Sequence, residues 1–312
     1  MRRPRAASAR EQDSRPAQLR SWARGHSVAA ALGLALLLSF ASCTAVRPAG
    51  VVGRAESPGL AFSNAELDHV LSRFVDDGGL VDYAGLAKDP AALERYHLAL
   101  ETYSPDSHPE LFPNPDDALA YWINAYNASV LSVVIAYYPI ASVTDVTAPF
   151  PLGLVNDKLG FFVLQTVTLG GEETNLSSLE SSVIRGHFGD PRVHFALNCG
   201  SRGCPSLPRE AFEGVELDAH LDAAARRFFA EERNLRIDHA ERVVWLSSIL
   251  DWYGDDLVGW MKERRPERPA TVLEYAALYV PPERAAELAR ARDYEIRFVP
   301  YDWSLNEQAP KR

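Results

Sequence analysis

The 312-residue chain has only three cysteines, two methionines and four lysines, the last set against 28 arginines. Positive charge is scarce overall: the net charge is −10 and the isoelectric point about 5.3, which argues against nucleic acid as a partner. The arginine excess reads as the mark of a GC-rich genome rather than as a design for binding phosphates. No segment repeats at a period of 20 to 50 residues, which excludes a solenoid. The sequence also lacks a dinucleotide fingerprint, a P-loop and a serine-hydrolase elbow, and Gly170-Gly171 alone is a turn, not a phosphate cradle. What is present is core material. Thirteen Phe, twelve Tyr and six Trp within 47% hydrophobic content exclude intrinsic disorder. The length allows one large domain or two small ones.

Residues 1–42 read as a leader. Arg2, Arg3, Arg5, Arg10, Arg15, Arg20 and Arg24 form a basic region, and an apolar run from Val28 to Phe40 follows, ending in Ala41-Ser42-Cys43. That run is too short for a membrane anchor, which needs about 20 residues. Charge, apolar run and small residues in that order make a secretory signal peptide. The cysteine directly after Ala-Ser gives it the look of a bacterial lipoprotein signal, with Cys43 lipidated at the new N-terminus; Phe40 stands where that pattern usually has Leu. Cleavage removes seven arginines and two acids, so the mature chain carries −15 and the lipid, not surface charge, would hold it to a membrane. Thr44, rather than Asp, after the lipidated residue points to the outer membrane, facing the periplasm.

Residues 43–61, rich in Gly, Pro and Ala, read as a flexible tether, 62–306 as a single domain and 307–312 as a tail. Within the domain, Ser63 and Glu66 form a capping box before Leu67, Val70, Leu71 and Phe74. Asp89-Pro90 starts a second helix running to about Glu101. Asn114-Pro115 starts a third, reaching about Tyr138, apolar almost all round and therefore buried. After Pro151 the period changes: Phe161 to Leu169 reads as a strand, Asn175 caps a short helix, and Val193 to Asn198 is a strand. Val215 to Glu231 is an amphipathic helix, 234–246 a hairpin, and Trp252 to Arg264 a helix. Thr271 and Glu274 cap another helix, and Tyr294 to Val299 is a last strand. Helices first and strands later predict α+β, a helical N-terminal half with a long buried helix packed on a small, mostly antiparallel sheet.

Two stretches bear chemistry. Asn124 and Asn127, three apart on one helix face, are buried amides that must find partners. They either brace neighbouring backbone or orient a catalytic group. The other stretch runs from His194 to Pro205. Cys199 and Cys204, five positions apart in an oxidising compartment, suit a small structural disulfide. A thiolate at Cys204 activated by His194 is the alternative, with Glu180 or Asn124 orienting the imidazole and the Gly200–Gly203 turn supplying oxyanion donors. As a metal set, His194, Cys199 and Cys204 give three ligands in no standard zinc spacing. No cofactor is implied. Glu172-Glu173 and Asp255-Asp256 read as solvated helix-start acids.

Several of these stretches together resemble the domain-of-unknown-function 547 family. They are Gly79 to Tyr83, Ala120 to Ala128, Asp190 to Cys199 with Cys204-Pro205, Leu246 to Gly254, and Tyr301 to Asn306, in the expected order. One departure is visible: Glu180 is followed by Ser181, where the family often has His. The resemblance implies no activity. A buried helix followed by antiparallel strands also gives a distant, fold-level similarity to the papain-like or transglutaminase-like thiol fold. The sequence thus leaves two functions: an envelope lipoprotein that binds a ligand or partner, and a thiol hydrolase or acyl transferase using Cys204 and His194.

Overall fold

The computed structural model describes residues 44–45 and 62–309. The leader, Cys43 and the tether from 46 to 61 lie outside the described residues. The fold is α+β, with two small three-stranded sheets rather than one. The first pairs β1 (Thr44–Ala45) parallel with β2 (Gln165–Leu169), which turns back antiparallel into β3 (Glu172–Asn175). Gly170 and Gly171 make that hairpin turn, both with positive φ, where a side chain would be strained. The second sheet pairs β4 (Leu235–Asp238) antiparallel with β5 (Val243–Ser247), and β5 parallel with β6 (Glu295–Val299) after a helical crossover. Each sheet is therefore mixed, half parallel and half antiparallel, not mostly antiparallel.

Helices α2 (Tyr83–Lys88) and α3 (Ala91–Thr102) pack on α4 (Pro115–Tyr137), and α1 (Ala65–Phe74) packs on α2 and α3. Pro115 opens α4 at a position where its missing N–H costs nothing, and the Asp117 carboxylate accepts from both the backbone N–H and the side-chain amide of Asn114. Fifteen of its residues from Leu119 to Val134 are buried. It is long and apolar enough to cross a membrane, yet 83% of its most apolar window is covered by protein, so it is a core helix.

Two hydrophobic cores result. One gathers α1 to α4 with Phe161, Leu176, Ile184 and Val193. The other gathers Phe228, Phe229, Val244, Leu246, Leu257, Tyr275 and Phe195. Val193 belongs to the first and Phe195 to the second, so the segment between them joins the two. That segment is not a strand. Pro191–Phe195 is a 3-10 helix, with the Asp190 side chain capping Arg192 N–H, and residues 196–200 form no strand. The expected alternation of His194, Ala196 and Asn198 on one strand face therefore does not exist. The helix after Asn175 continues as a π-helix, Leu179–Phe188, whose wider turn brings Glu180 and Arg185 onto one side.

Candidate functional site

Cys199 and Cys204 form a disulfide, with Cα atoms 6.1 Å apart. Gly200, at φ +82°, takes the left-handed turn that starts the closed loop. The bond corrects the thiol-nucleophile expectation, because neither cysteine carries a thiolate to attack with. It also dissolves the His194, Cys199 and Cys204 metal trio. Among the described residues no group of His, Cys, Asp and Glu is placed to hold a metal ion.

His194 is only 4% exposed, so no substrate reaches its ring. Its Nε2 donates to Asp256 Oδ2 at 2.9 Å, and Arg185 donates to the same oxygen from Nε and Nη2 at 2.9 and 2.8 Å. The Tyr253 ring stacks on the imidazole at 4.1 Å and carries the Arg185 guanidinium at 4.8 Å. The residue orienting the imidazole is thus Asp256, not Glu180 or Asn124. Glu180 instead accepts from the Tyr253 hydroxyl at 2.6 Å and the Tyr126 hydroxyl at 3.5 Å. Asn124 exchanges both of its bonds with the backbone of Phe212, at 2.8 and 2.9 Å. Asn127 does the same between Ala196 O and Asn198 N. Both amides brace backbone, as the plainer expectation held.

The Asp256 carboxyl titrates at about 2, below the usual 3.8. The His194 hydrogen bond holds it down most, burial pushes the other way, and Arg185 adds to the depression. A depressed carboxylate stabilises the fold fully above its unfolded value and loses that contribution as pH falls from 3.8 toward 2. With the side chain 36% exposed, solvent screening reduces the contribution to about 1 kcal/mol. Asp256→Asn should therefore be less stable than wild type by about that much at pH 6 and equal to it near pH 2. Urea midpoints measured across that range check this. A gap that stays constant with pH would show that the loss is not electrostatic.

On the other side of the disulfide lies a cavity of about 790 Å³. The loop from Ser201 to Ser206 forms one wall, and the segment Val299 to Asp302 another. Asn198 and Asn306 lie in the lining, joined at 3.2 Å, and Asn306 accepts from Tyr83 at 2.7 Å. Arg233 braces the rim: its guanidinium bonds the carbonyls of Arg202 and Cys204 and the Glu231 carboxylate. Tyr301 stands at the junction. Its hydroxyl sits 3.1 Å from Cys199 Sγ and 3.0 Å from Cys204 Sγ; burial pushes its pKa above the ordinary value, Arg233 opposing the shift and Glu180 adding to it. Trp252 and Trp303 flank its ring at 4.8 and 4.5 Å, and Trp252 remains 47% exposed.

Sequence reasoning missed Asp256, Arg185, Tyr253, Arg233 and Tyr301. Asp256 has the look of any first-turn acid, and nothing in the sequence links it to a histidine 62 positions earlier. Tyr301 was signalled only by its place in the Tyr301-Asp302-Trp303 stretch.

Residues 112–229 match the family model described as a protein of unknown function, DUF547. The matched span takes in α4, His194 and both cysteines and stops short of Asp256 and Tyr301. No curated protein and no solved structure matches the chain, so the papain-like analogy gains no support.

Proposed function

We propose that this chain is a lipid-anchored cell-envelope protein whose folded domain binds a small molecule. The cavity of about 790 Å³ beside the disulfide carries the reading, because it falls in the size range of small-molecule sites. Its exposed wall is mostly apolar and includes the Tyr301 ring, with the internally bonded amides of Asn198, Asn234 and Asn306 buried behind it. A mostly apolar ligand with a few polar groups suits such a wall.

Three observations support the compartment and the anchor. A disulfide persists in an oxidising space such as the periplasm. The signal-like leader ends at Cys43. The loop from Val146 to Asn156 carries no charged residue, and Phe150, Leu154 and Val155 are 84, 80 and 83% exposed. An apolar surface of that kind favours a neighbour such as a membrane. That loop leads through Leu159–Phe162 to β2, whose Gln165 pairs with Thr44, the residue next to Cys43.

Cys43→Ala should release the protein from the outer-membrane fraction into the soluble periplasmic fraction on cell fractionation. A variant still found with membranes would end the lipid-anchor reading. For binding, native mass spectrometry of the protein from its own envelope should show an added mass that denaturation removes. Glu232→Trp, which fills the cavity from an exposed rim position, should abolish that mass. Identical native and denatured masses would end the binding reading.

A further inference from the structure

The disulfide is surrounded by more than its structural role requires. Without the sulfur bridge, the loop it closes is still held on both sides. Asn198 Oδ1 accepts from Gly200 N at 2.9 Å, and Asn198 Nδ2 donates to Pro205 O at 2.7 Å. Arg202 N and Gly203 N donate to Ser304 O and Asp302 O, each at 2.8 Å. The Arg233 guanidinium ties down the carbonyls of Arg202 and Cys204. None of these bonds uses a sulfur atom.

The two sulfurs are not equivalent. Cys204 is 4% exposed, and two donors reach its sulfur: the Cys199 backbone N–H at 2.9 Å and the Tyr301 hydroxyl at 3.0 Å. Cys199 is half-buried, and only the Tyr301 hydroxyl, at 3.1 Å, reaches its sulfur. In thiol–disulfide exchange the attacked sulfur must be accessible, and the departing one leaves faster when its negative charge is stabilised. Burial raises the Tyr301 hydroxyl above its ordinary value, so it remains a protonated donor at neutral pH.

We infer that the Cys199–Cys204 disulfide is an exchange site for an external dithiol, with Cys199 the attacked sulfur and Cys204 the leaving thiolate. In the first step a thiolate of the dithiol attacks Cys199 Sγ. A new S–S bond forms there, and the Cys199–Cys204 bond breaks, its electron pair leaving on Cys204 Sγ. The Cys199 N–H and Tyr301 O–H stabilise that charge. In the second step the other thiol of the partner, deprotonated, attacks its own sulfur in the mixed disulfide and expels the Cys199 thiolate. The partner leaves as a disulfide, oxidised by two electrons. The protein gains those electrons and, from the two partner thiols, the two protons that make Cys199 and Cys204 thiols. Because Ser201 to Ser206 wall the cavity, the same step changes the tether of that wall.

The full-length protein, purified in air, is treated at neutral pH with glutathione or dithiothreitol, quenched with N-ethylmaleimide and mapped by mass spectrometry. The expected results are a glutathione adduct on Cys199 and full reduction by dithiothreitol with unchanged circular dichroism, at a rate proportional to reductant. Tyr301→Phe should slow that reduction about tenfold, the worth of one hydrogen bond to a charged atom. An independent comparison uses the single-thiol variants, each confirmed as folded by its melt. The Cys199 thiol of Cys204→Ser should react with N-ethylmaleimide faster than the Cys204 thiol of Cys199→Ser. Reduction that occurs only in unfolding concentrations of urea, an adduct on Cys204, or the reverse order of alkylation would overturn the proposal. None of these readouts depends on a ligand in the cavity or on the lipid anchor, so they fail or succeed separately from the function proposed above.

Discussion

Asn198→Ala should lower the melting temperature by about 10 °C in the oxidised protein. Asn198 is 4% exposed and uses both ends of its amide. Its Oδ1 accepts from Gly200 N at 2.9 Å and Asn306 Nδ2 at 3.2 Å, and its Nδ2 donates to Pro205 O at 2.7 Å. Alanine removes all three bonds and leaves groups that water does not replace. Each buried group stranded in this way costs about 1–3 kcal/mol, and since the losses share one site they sum to about 4 kcal/mol rather than to the maximum. For a domain of this size each kcal/mol moves the melt by about 2–4 °C. The backbone N–H of Asn198 keeps its bond to Asn127 Oδ1, so α4 stays joined to this segment and the variant should still fold. Thermal and urea unfolding check the value. A loss under about 1 kcal/mol would mean that water enters from the adjacent cavity and satisfies the stranded groups. A double-mutant cycle with Asn306→Ala should show coupling, because Asn306 also accepts from Tyr83 and relays the same network to α2.

The elements around this network differ in how far the sequence announces them. For α4, Asn114-Pro115-Asp116-Asp117 is a complete start signal, and an all-round apolar helix has only one place to go. The Gly170-Gly171 hairpin is equally local. The His194 segment failed for a physical reason. Val-His-Phe-Ala-Leu is a short apolar run, and periodicity cannot separate such a strand from a turn of buried helix. Asp190-Pro191 in front of it was the better guide, since that pair is an N-cap followed by an N1 proline, which the structure uses as such. The parallel pairing of β5 with β6 links residues about 50 positions apart across a crossover, and only the folded chain reveals it. The site is less legible still. The sequence offered His194, Cys199 and Cys204 as a cluster because they are near in the chain. The fold sends His194 toward Asp256 and Tyr253 and the cysteines toward Tyr301. Proximity along the chain was a poor proxy because the two sides of residues 195–198 face different cores.

Arg192→Met should cost about 3 kcal/mol. Arg192 lies in the 3-10 turn beside His194, its side chain only 16% exposed. Nε and Nη2 engage Asp190, the closest contact being 2.7 Å, while Nη1 reaches Asp218 at 2.7 Å and Asp222 at 2.8 Å. Burial works against the guanidinium charge, but Asp190, then Asp218 and Asp222, outweigh it and hold the proton more tightly than on a free arginine. These bonds fasten the turn to helix Leu217–Ala230, where Phe228 and Phe229 pack on Phe195. Methionine keeps most of the apolar stem but takes the guanidinium from Asp222 and leaves Asp190 only the backbone N–H it caps; the two carboxylates are 29 and 21% exposed. Breaking a fully buried pair costs about 3–5 kcal/mol, and the partial exposure here sets the lower end. Asp218, at 86% exposed, adds little. Arg226 keeps a bond to Asp222, which further limits the loss. Arg192→Lys separates charge from geometry. It restores the cation without the planar fork that grips Asp190 and should recover about half of the loss. Urea unfolding of the three proteins decides it. A Lys variant no more stable than the Met variant would show that the cation contributes nothing without the fork.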